Sequence, residues 1–272
     1  MTCSHSSAGP PAPLPPAVSG GGERSAGAVD LDRLRAAPHL VLLLDYDGTL
    51  VPFAPRPELA RPDAPLLALL AALAARADRT VHVVSGRPPD VLDRWLGALP
   101  IGLHAEHGAW SRRAGGPWIA AVPLDAPWRG EVRALFLRAA AETPGALVEE
   151  KTAGLAWHHR LADPIEGARR ARALAGQLAA LLASTDAEVL AGAQVIEVRR
   201  RGIHKGLVVA PALASAPAGA RALAIGDDQT DEDLFAALPA GALAVHVGPG
   251  PSRADLRAPD VAAVRSLLGA LR

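Results

Sequence analysis

Four polar clusters stand where apolar runs end, and their residue types suit phosphate and metal chemistry. The first, Asp45-Tyr46-Asp47-Gly48-Thr49, follows the run Leu40 to Leu44 directly. Two carboxylates two residues apart on an extended chain point the same way. They repel unless a cation or proton separates them, and Gly48 lets the backbone turn off sharply so that both stay accessible. Magnesium is the natural cation for such hard oxygen ligands. An EF-hand loop also begins Asp-x-Asp, but it follows a helix and carries its glycine two positions later. A simple Asx turn is the other reading of Asp45 to Gly48. The second cluster is Ser85-Gly86-Arg87, after Thr80 to Val84 and before Pro88, which is placed to open a helix. A hydroxyl and free N–H groups at a helix N-terminus seat an anion, although Ser85 could equally cap the helix. The third is Lys205, whose ammonium beside the positive end of a helix calls for an anion to meet it. The fourth is Gly226-Asp227-Asp228 with Asp231, Glu232 and Asp233 behind it and no base among them. Asp231 to Asp233 suit the first turn of a helix N-capped by Thr230, whereas Asp227 and Asp228 precede it; a cation shared with Asp45 and Asp47 relieves their repulsion.

The elements that deliver these clusters are short apolar strands buried on both faces, the pattern of a parallel sheet between helices. In such sheets ligands lie beyond the carboxyl ends of the strands. Strands are expected at about 40–45, 80–84, 101–104, 221–226 and 243–247, with helices at 66–77 (capped by Asp63), 88–96, 207–214 and 261–271. From about residue 111 to 199 the pattern changes to helix 127–141, strands 146–150 and 155–160, helix 165–182, and strands near 187–190 and 194–198. The fold class is therefore α/β: a Rossmann-like doubly wound parallel sheet, residues 31–110 and 200–272, with an inserted α+β cap, 111–199. In the insert, Glu149, Lys151, His158 and Arg160 fall in steps of two and share one face. That face is either solvated or, if the insert covers the core site, a wall for substrate. His104 and His107 come with no further zinc-ligand pattern and read as ordinary loop histidines.

Composition limits the alternatives. The chain has 272 residues, half of them apolar, with 28 acids and 28 bases. Zero net charge gives no support for binding nucleic acid or a membrane surface. Cys3 is the one cysteine, which excludes a disulfide framework and a thiolate metal site. No apolar run is long enough to span a bilayer, and residues 1–30 lack the pattern of a signal peptide, so the expected setting is the cytoplasm. Those 30 residues, rich in Pro, Gly and Ala, cannot bury enough surface to offset ordering and are expected to be disordered. All bases but Lys151 and Lys205 are arginine, which marks both lysines as places where a compact ammonium on a flexible stem is needed.

The order Asp45-x-Asp47-Gly48-Thr49, Ser85, Lys205, Gly226-Asp227-Asp228 with Asp231 resembles the haloacid dehalogenase phosphatase superfamily over essentially the whole chain beyond residue 37. Within it the chain is most similar to trehalose-6-phosphate phosphatases, through Asp45 to Leu50, Val84 to Arg87, Glu149 with Lys151, His158 with Arg160, Glu197 eight residues before Lys205, and Gly226 to Glu232. It departs from that pattern at His159, where tyrosine is common, and lacks a base shortly before Glu197. The resemblance implies hydrolysis of trehalose 6-phosphate, with Asp45 as nucleophile and Asp47 as general acid and base. It implies magnesium held by Asp45, Asp47 and Asp227 with Asp228 nearby. Ser85, Gly86, Arg87 and Lys205 would hold the phosphate, Asp231 would orient Lys205, and Glu149, Lys151, Arg160 and Glu197 would hold the sugar. The synthase that makes trehalose 6-phosphate is the implied functional partner. Sucrose-phosphate and mannosyl-3-phosphoglycerate phosphatases, phosphomannomutase and a non-catalytic sugar-phosphate-binding module share parts of the pattern.

Overall fold

The apolar run that leads to Asp45 forms strand β1 (Leu40–Asp45), buried along its whole length. The computed structural model describes residues 34–123, 125–192 and 194–272, so the expected disorder of residues 1–30 lies outside the described residues. Alternation along β1 sends Leu40, Leu42 and Leu44 into one apolar cluster and Val41 and Leu43 into another. Each fully buried leucine contributes roughly 1.5–3 kcal/mol, so both faces of the strand must be covered.

The chain continues through α1 (Ala64–Ala74), β2 (Arg79–Val84), α2 (Pro89–Leu96), β3 (Gly102–Ala105), β4 (Trp110–Arg112) and β5 (Trp118–Ala120). It then builds a second body from α3 (Arg129–Ala141), β6 (Leu147–Glu150), β7 (Gly154–His158), α4 (Pro164–Leu181), β8 (Ala187–Gly192) and β9 (Val195–Arg200). It returns through α5 (Val209–Ala214), β10 (Arg221–Gly226), α6 (Asp231–Ala236), β11 (Leu243–Val247), β12 (Leu256–Ala258) and α7 (Val261–Gly269). The large sheet has the order β12-β11-β10-β1-β2-β3-β4-β5. Its strands from β12 to β3 are parallel, and β4 and β5 extend it antiparallel. Leu66, Leu70 and Leu73 of α1, spaced along one helical stripe, cover one face with Leu92, Leu96, Val264 and Leu268. Val209, Ala212, Leu234 and Phe235 cover the other. The Asp63 carboxylate accepts the Leu66 N–H and starts α1 as expected. From β1 the chain winds outward to β2 and β3, and from β10 it winds the opposite way, so the switch point lies between the neighbours β1 and β10. A crevice for ligand is expected beyond their carboxyl ends.

The small sheet, order β6-β7-β9-β8, is antiparallel throughout. One face packs Leu155, Trp157, Ile196 and Val198 against Val132 and Phe136 of α3 and Leu174 and Leu178 of α4. Strand alternation leaves Glu149, Ala156, His158 and Glu197 on the opposite face. The register sets Glu149 and Glu197 on either side of Ala156 in one row.

Two details differ from the sequence reading. The hairpin β4–β5 belongs to the large sheet, so a boundary at 111 cuts through it; three-residue strands around Arg113 to Pro117 carry no apolar run to reveal them. Strand β7 ends at His158, because the chain turns through His159 to Ala162 to enter α4, which Asp163 caps by accepting the Ile165 and Glu166 N–H groups. Arg160 therefore stands exposed in that turn, beyond the end of the strand. No described helix is long and apolar enough to cross a membrane.

Candidate active site

Lys205 is the centre of the site. It opens a single 3-10 turn, Lys205–Val208, that precedes α5, and its Nζ donates to Asp45 Oδ1 at 2.7 Å and to Asp231 Oδ1 at 2.8 Å, with Asp228 Oδ1 at 3.8 Å. Asp45 stands at the end of β1 and Asp231 at the start of α6, so one ammonium ties together the two sides of the switch point. All three side chains are buried, to 5% exposure or less. The second oxygen of Asp231 accepts the N–H groups of Asp227 and Asp228 at 3.0 and 3.1 Å. This folds the start of α6 onto the end of β10. A side chain at Gly226 would come within 2.1 Å of the Asp231 carboxyl carbon, which is why glycine stands there. Gly48 has φ +85°, and a Cβ on it would meet Asp227 Oδ2 at 2.2 Å, while Thr49 donates to Asp227 Oδ1 at 3.2 Å.

Positive charge is short here. Burial pushes the Asp45 carboxyl up to about 8 in spite of Lys205, with Asp227 and Asp228 adding to the rise. Burial and the neighbouring Asp228 and Asp231 push Asp227 up to about 7. Asp45 Oδ2 is buried and has no hydrogen-bond partner among the described residues. One carboxylate oxygen each from Asp45, Asp227 and Asp231 lies within 4.8 Å of the others. These acids fit a hard divalent cation, which would lower both raised values and satisfy the orphaned oxygen. Asp228 behaves differently: Lys205 holds its carboxyl well below the usual range against the effect of burial, and its Oδ1 accepts from the Thr230 N–H, the Thr230 hydroxyl and the Asp231 N–H. Thr230 thus occupies the N-cap position of α6 without capping it, a departure from the sequence reading; Asp228 takes its donors instead.

Asp47 faces away from this group. Its two oxygens receive Arg87 Nε at 2.8 Å and Nη2 at 2.6 Å, a bidentate pair. The Arg87 guanidinium also lies over the Trp95 ring, 4.6 Å from its centroid. The expectation that Asp45 and Asp47 both point at one cation through their side chains is not met, because Arg87 neutralises Asp47 first. Ser85 is buried; it does not cap α2, and its Oγ accepts the Arg87 N–H at 3.2 Å while its carbonyl accepts the His107 N–H. Its neighbour Gly86 lies so close to His107 that a Cβ would meet the ring at 2.7 Å.

On the small sheet, Lys151 Nζ donates to Glu197 Oε2 at 2.9 Å, and Glu149 Oε2 pairs with His158 Nε2 at 2.8 Å. Burial opposes the Glu197 charge, yet Lys151 holds its carboxyl down to about 2. The Lys151 ammonium, although buried, is held above its usual range by Glu197 and Glu149. His107 reaches from the loop after β3 to within 3.8 Å of Glu197. Burial pushes its imidazole down to about 3, so it is neutral at pH 7, and it lies within electrostatic reach of both Lys151 and Lys205. His107 and Glu106 both have positive φ, 59° and 46°, a left-handed pair of non-glycine residues that is costly to hold. The structure thus groups Asp45, Lys205, Asp227, Asp228 and Asp231, pairs Asp47 with Arg87, gathers Glu149, Lys151 and Glu197, and puts Arg160 in the turn after β7. His107 reads from sequence as an ordinary loop histidine and Glu106 is passed over, and their one signal is the tight Glu106-His107-Gly108 step after a strand.

The comparisons agree with one another. The trehalose-phosphatase family model matches residues 43–254. A bifunctional trehalose-6-phosphate synthase/phosphatase of Thermoproteus tenax is 42% identical over 248 residues, which are 90% of this chain and 34% of that protein. The chain thus spans about a third of the length of this relative. The C-terminal domain of trehalose-6-phosphate phosphatase of C. albicans superposes with a TM-score of 0.82 at 31% identity, covering 89% of this chain and 95% of that one. A haloacid dehalogenase-like hydrolase of Bacteroides thetaiotaomicron matches at 14% identity with a TM-score of 0.63, covering 86% of this chain and 100% of its own, a likeness of fold alone. With its acid–lysine centre at the switch point and a match running through both sheets, the chain belongs to the trehalose-phosphatase family.

Proposed function

We propose that the chain is a magnesium-dependent phosphatase that hydrolyses trehalose 6-phosphate to trehalose and inorganic phosphate, the last step of trehalose synthesis. The observation that carries the reading is the pair of buried ammonium groups: Lys205 on Asp45 and Lys151 on Glu197, with neutral His107 within reach of both. One pair suits a phosphoryl group and the other a polyhydroxylated sugar.

In the first half-reaction one carboxylate oxygen of Asp45 attacks phosphorus, and the bond from phosphorus to the sugar oxygen breaks. The leaving oxygen takes its electron pair and a proton from Asp47, and an aspartyl-phosphate remains on Asp45. In the second, Asp47 takes a proton from water, which attacks phosphorus and releases phosphate and the Asp45 carboxylate. Arg87, whose guanidinium holds both Asp47 oxygens and whose backbone N–H meets Ser85 Oγ, links the general acid and base to the phosphate seat. Ser85, Gly86 and Lys205 bind the transferring oxygens, and Asp231 orients Lys205. Magnesium, held by Asp45, Asp227 and the Asp47 carbonyl with Asp228 alongside, would supply neutralising charge to the phosphoryl group. Glu149, Lys151 and Glu197 bind sugar hydroxyls, with Arg160 approaching from its turn. We place the reaction in the cytoplasm, with a trehalose-6-phosphate synthase as functional partner; the bifunctional relative supports that link.

The test is phosphate release with magnesium from trehalose 6-phosphate, sucrose 6-phosphate, glucose 6-phosphate and mannosyl-3-phosphoglycerate, repeated with a chelator. The expected result is a strong preference for trehalose 6-phosphate that chelation removes. Turnover of another substrate would retain the chemistry and displace the sugar assignment, and silence on all four would refute the phosphatase reading.

A further inference from the structure

Glu106 is 3% exposed, and no step above uses it. Its carboxylate reaches from the large sheet's loop to the turn between β6 and β7. Oε1 accepts the Thr152 N–H at 2.8 Å and the Thr152 hydroxyl at 3.0 Å, and Oε2 accepts the Ala153 N–H at 2.7 Å. Three donors on one buried carboxylate satisfy its charge without a cation. The next residue, His107, approaches Glu197 on β9. Two consecutive side chains of one loop thus face the small sheet at two places, the β6–β7 turn, which Glu106 holds by hydrogen bonds, and β9, which His107 approaches. The same loop is tied to the candidate phosphate seat from behind, since the Glu106 N–H donates to the Arg87 carbonyl at 3.0 Å and the His107 N–H to the Ser85 carbonyl at 2.9 Å. Both residues have left-handed backbone, and their adjacent side chains point to the β6–β7 turn and to β9.

We propose that Glu106 is a positioning residue, a clasp that fixes the Lys151–Glu197 pair of the small sheet relative to Ser85 and Asp45 without itself touching the substrate. It acts through the turn that follows Lys151: Glu106 pins Thr152 and Ala153, and Arg129 pins the Lys151 and Gly154 carbonyls from the other side at 2.6 and 3.1 Å. With the turn held from both sides, the Lys151 backbone has one place to stand. This inference rests on the phosphatase reading for its effect on turnover, but not for its effect on structure.

The experiment uses the full chain and Glu106→Gln, which keeps the size of the side chain but sets an amide donor against an N–H donor. The first readout is hydrogen exchange at the amides of Thr152 and Ala153, expected to quicken about tenfold or more, the equivalent of one charge-assisted hydrogen bond. The second is a comparison of KM and kcat on trehalose 6-phosphate and on p-nitrophenyl phosphate. KM for the disaccharide phosphate should rise about tenfold while the small ester keeps its rate. Thr152→Val, which removes only the hydroxyl, should show the same effects more weakly, and the double variant should add little to Glu106→Gln. If Glu106→Gln does not fold, Thr152→Val alone decides. Unchanged exchange, or equal losses on both esters, overturns the clasp. If the wild-type chain releases no phosphate, the phosphatase reading fails by itself, and exchange still decides the clasp.

Discussion

Lys205→Met removes the one ammonium that touches both Asp45 and Asp231, and its consequences can be worked out with signs. Breaking a buried ion pair from one side typically costs about 3–5 kcal/mol when the remaining charge stays ionised. Here the carboxyls have another course. Asp45 already stands at about 8 with Lys205 present, and without it Asp45 and Asp231 rise further and take up protons. A carboxyl whose folded value is raised above its ordinary one of about 3.9 binds a proton in the folded state that the unfolded chain lacks. That contribution is complete at low pH and is lost as pH rises through the folded value. The variant should therefore lie close to the wild type at pH 5 and fall below it by about 1.4 kcal/mol per pH unit for each extra proton held. Urea denaturation from pH 5 to 9 in the presence of a chelator reads this directly. Magnesium added at pH 8 should restore more stability to Lys205→Met than to the wild type, because it returns positive charge to the same acids. Parallel curves for the two proteins across that range would refute the reasoning, since they would mean that Lys205 carries no net charge compensation for the pair. Phosphate release by the variant should be abolished at every pH.

Gly48→Ala should cost roughly 1–3 kcal/mol of stability from its left-handed backbone. It should also raise the magnesium concentration needed for half-maximal turnover, because the new Cβ displaces Asp227; a normal magnesium requirement would contradict that contact. Burial holds His104 down to about 3, and it shares a hydrogen bond with His82. Its contribution to stability is present above about 6.5 and lost as pH falls, by about 2 kcal/mol between pH 7 and 5. His104→Asn should flatten the stability curve by that amount in thermal or urea titrations over the same window. Lys151→Met should slow hydrolysis of the disaccharide phosphate about tenfold or more while sparing a small phosphate ester, measured as the ratio of the two kcat/KM values.

The parts of this site that sequence made visible are those fixed by the strand period and by glycine. An apolar run ending in Asp45 had to be a strand buried on both faces, and Gly48 and Gly226 stand where no Cβ fits beside Asp227 and Asp231. The two lysines left in an arginine-rich chain both proved to be buried and doubly engaged with acids. What stayed hidden depends on tertiary choice. Arg87 competes with any cation for the Asp47 side chain, and nothing in Asp-x-Asp tells which partner wins. Arg160 has the right parity to share a face with His158, but the strand ends first because the chain must turn into α4. Glu106 and His107 adopt a conformation that side chains with a Cβ resist, and the donors that meet the Glu106 carboxylate lie in the β6–β7 turn, which no local pattern announces.

Strand β9 is followed by only four residues, 201 to 204, before Lys205, a tether of about 14 Å at full extension. The strand that carries Glu197 is thus joined to the acid–lysine centre by a short piece of backbone. Glu149 lies two strands farther out, on β6, at roughly 10 Å from β9, and its end of the sheet is tied to the large sheet by the Glu106 carboxylate on Thr152 and Ala153. A sugar held between the two would rest on one carboxylate placed by the covalent chain and one placed by hydrogen bonds.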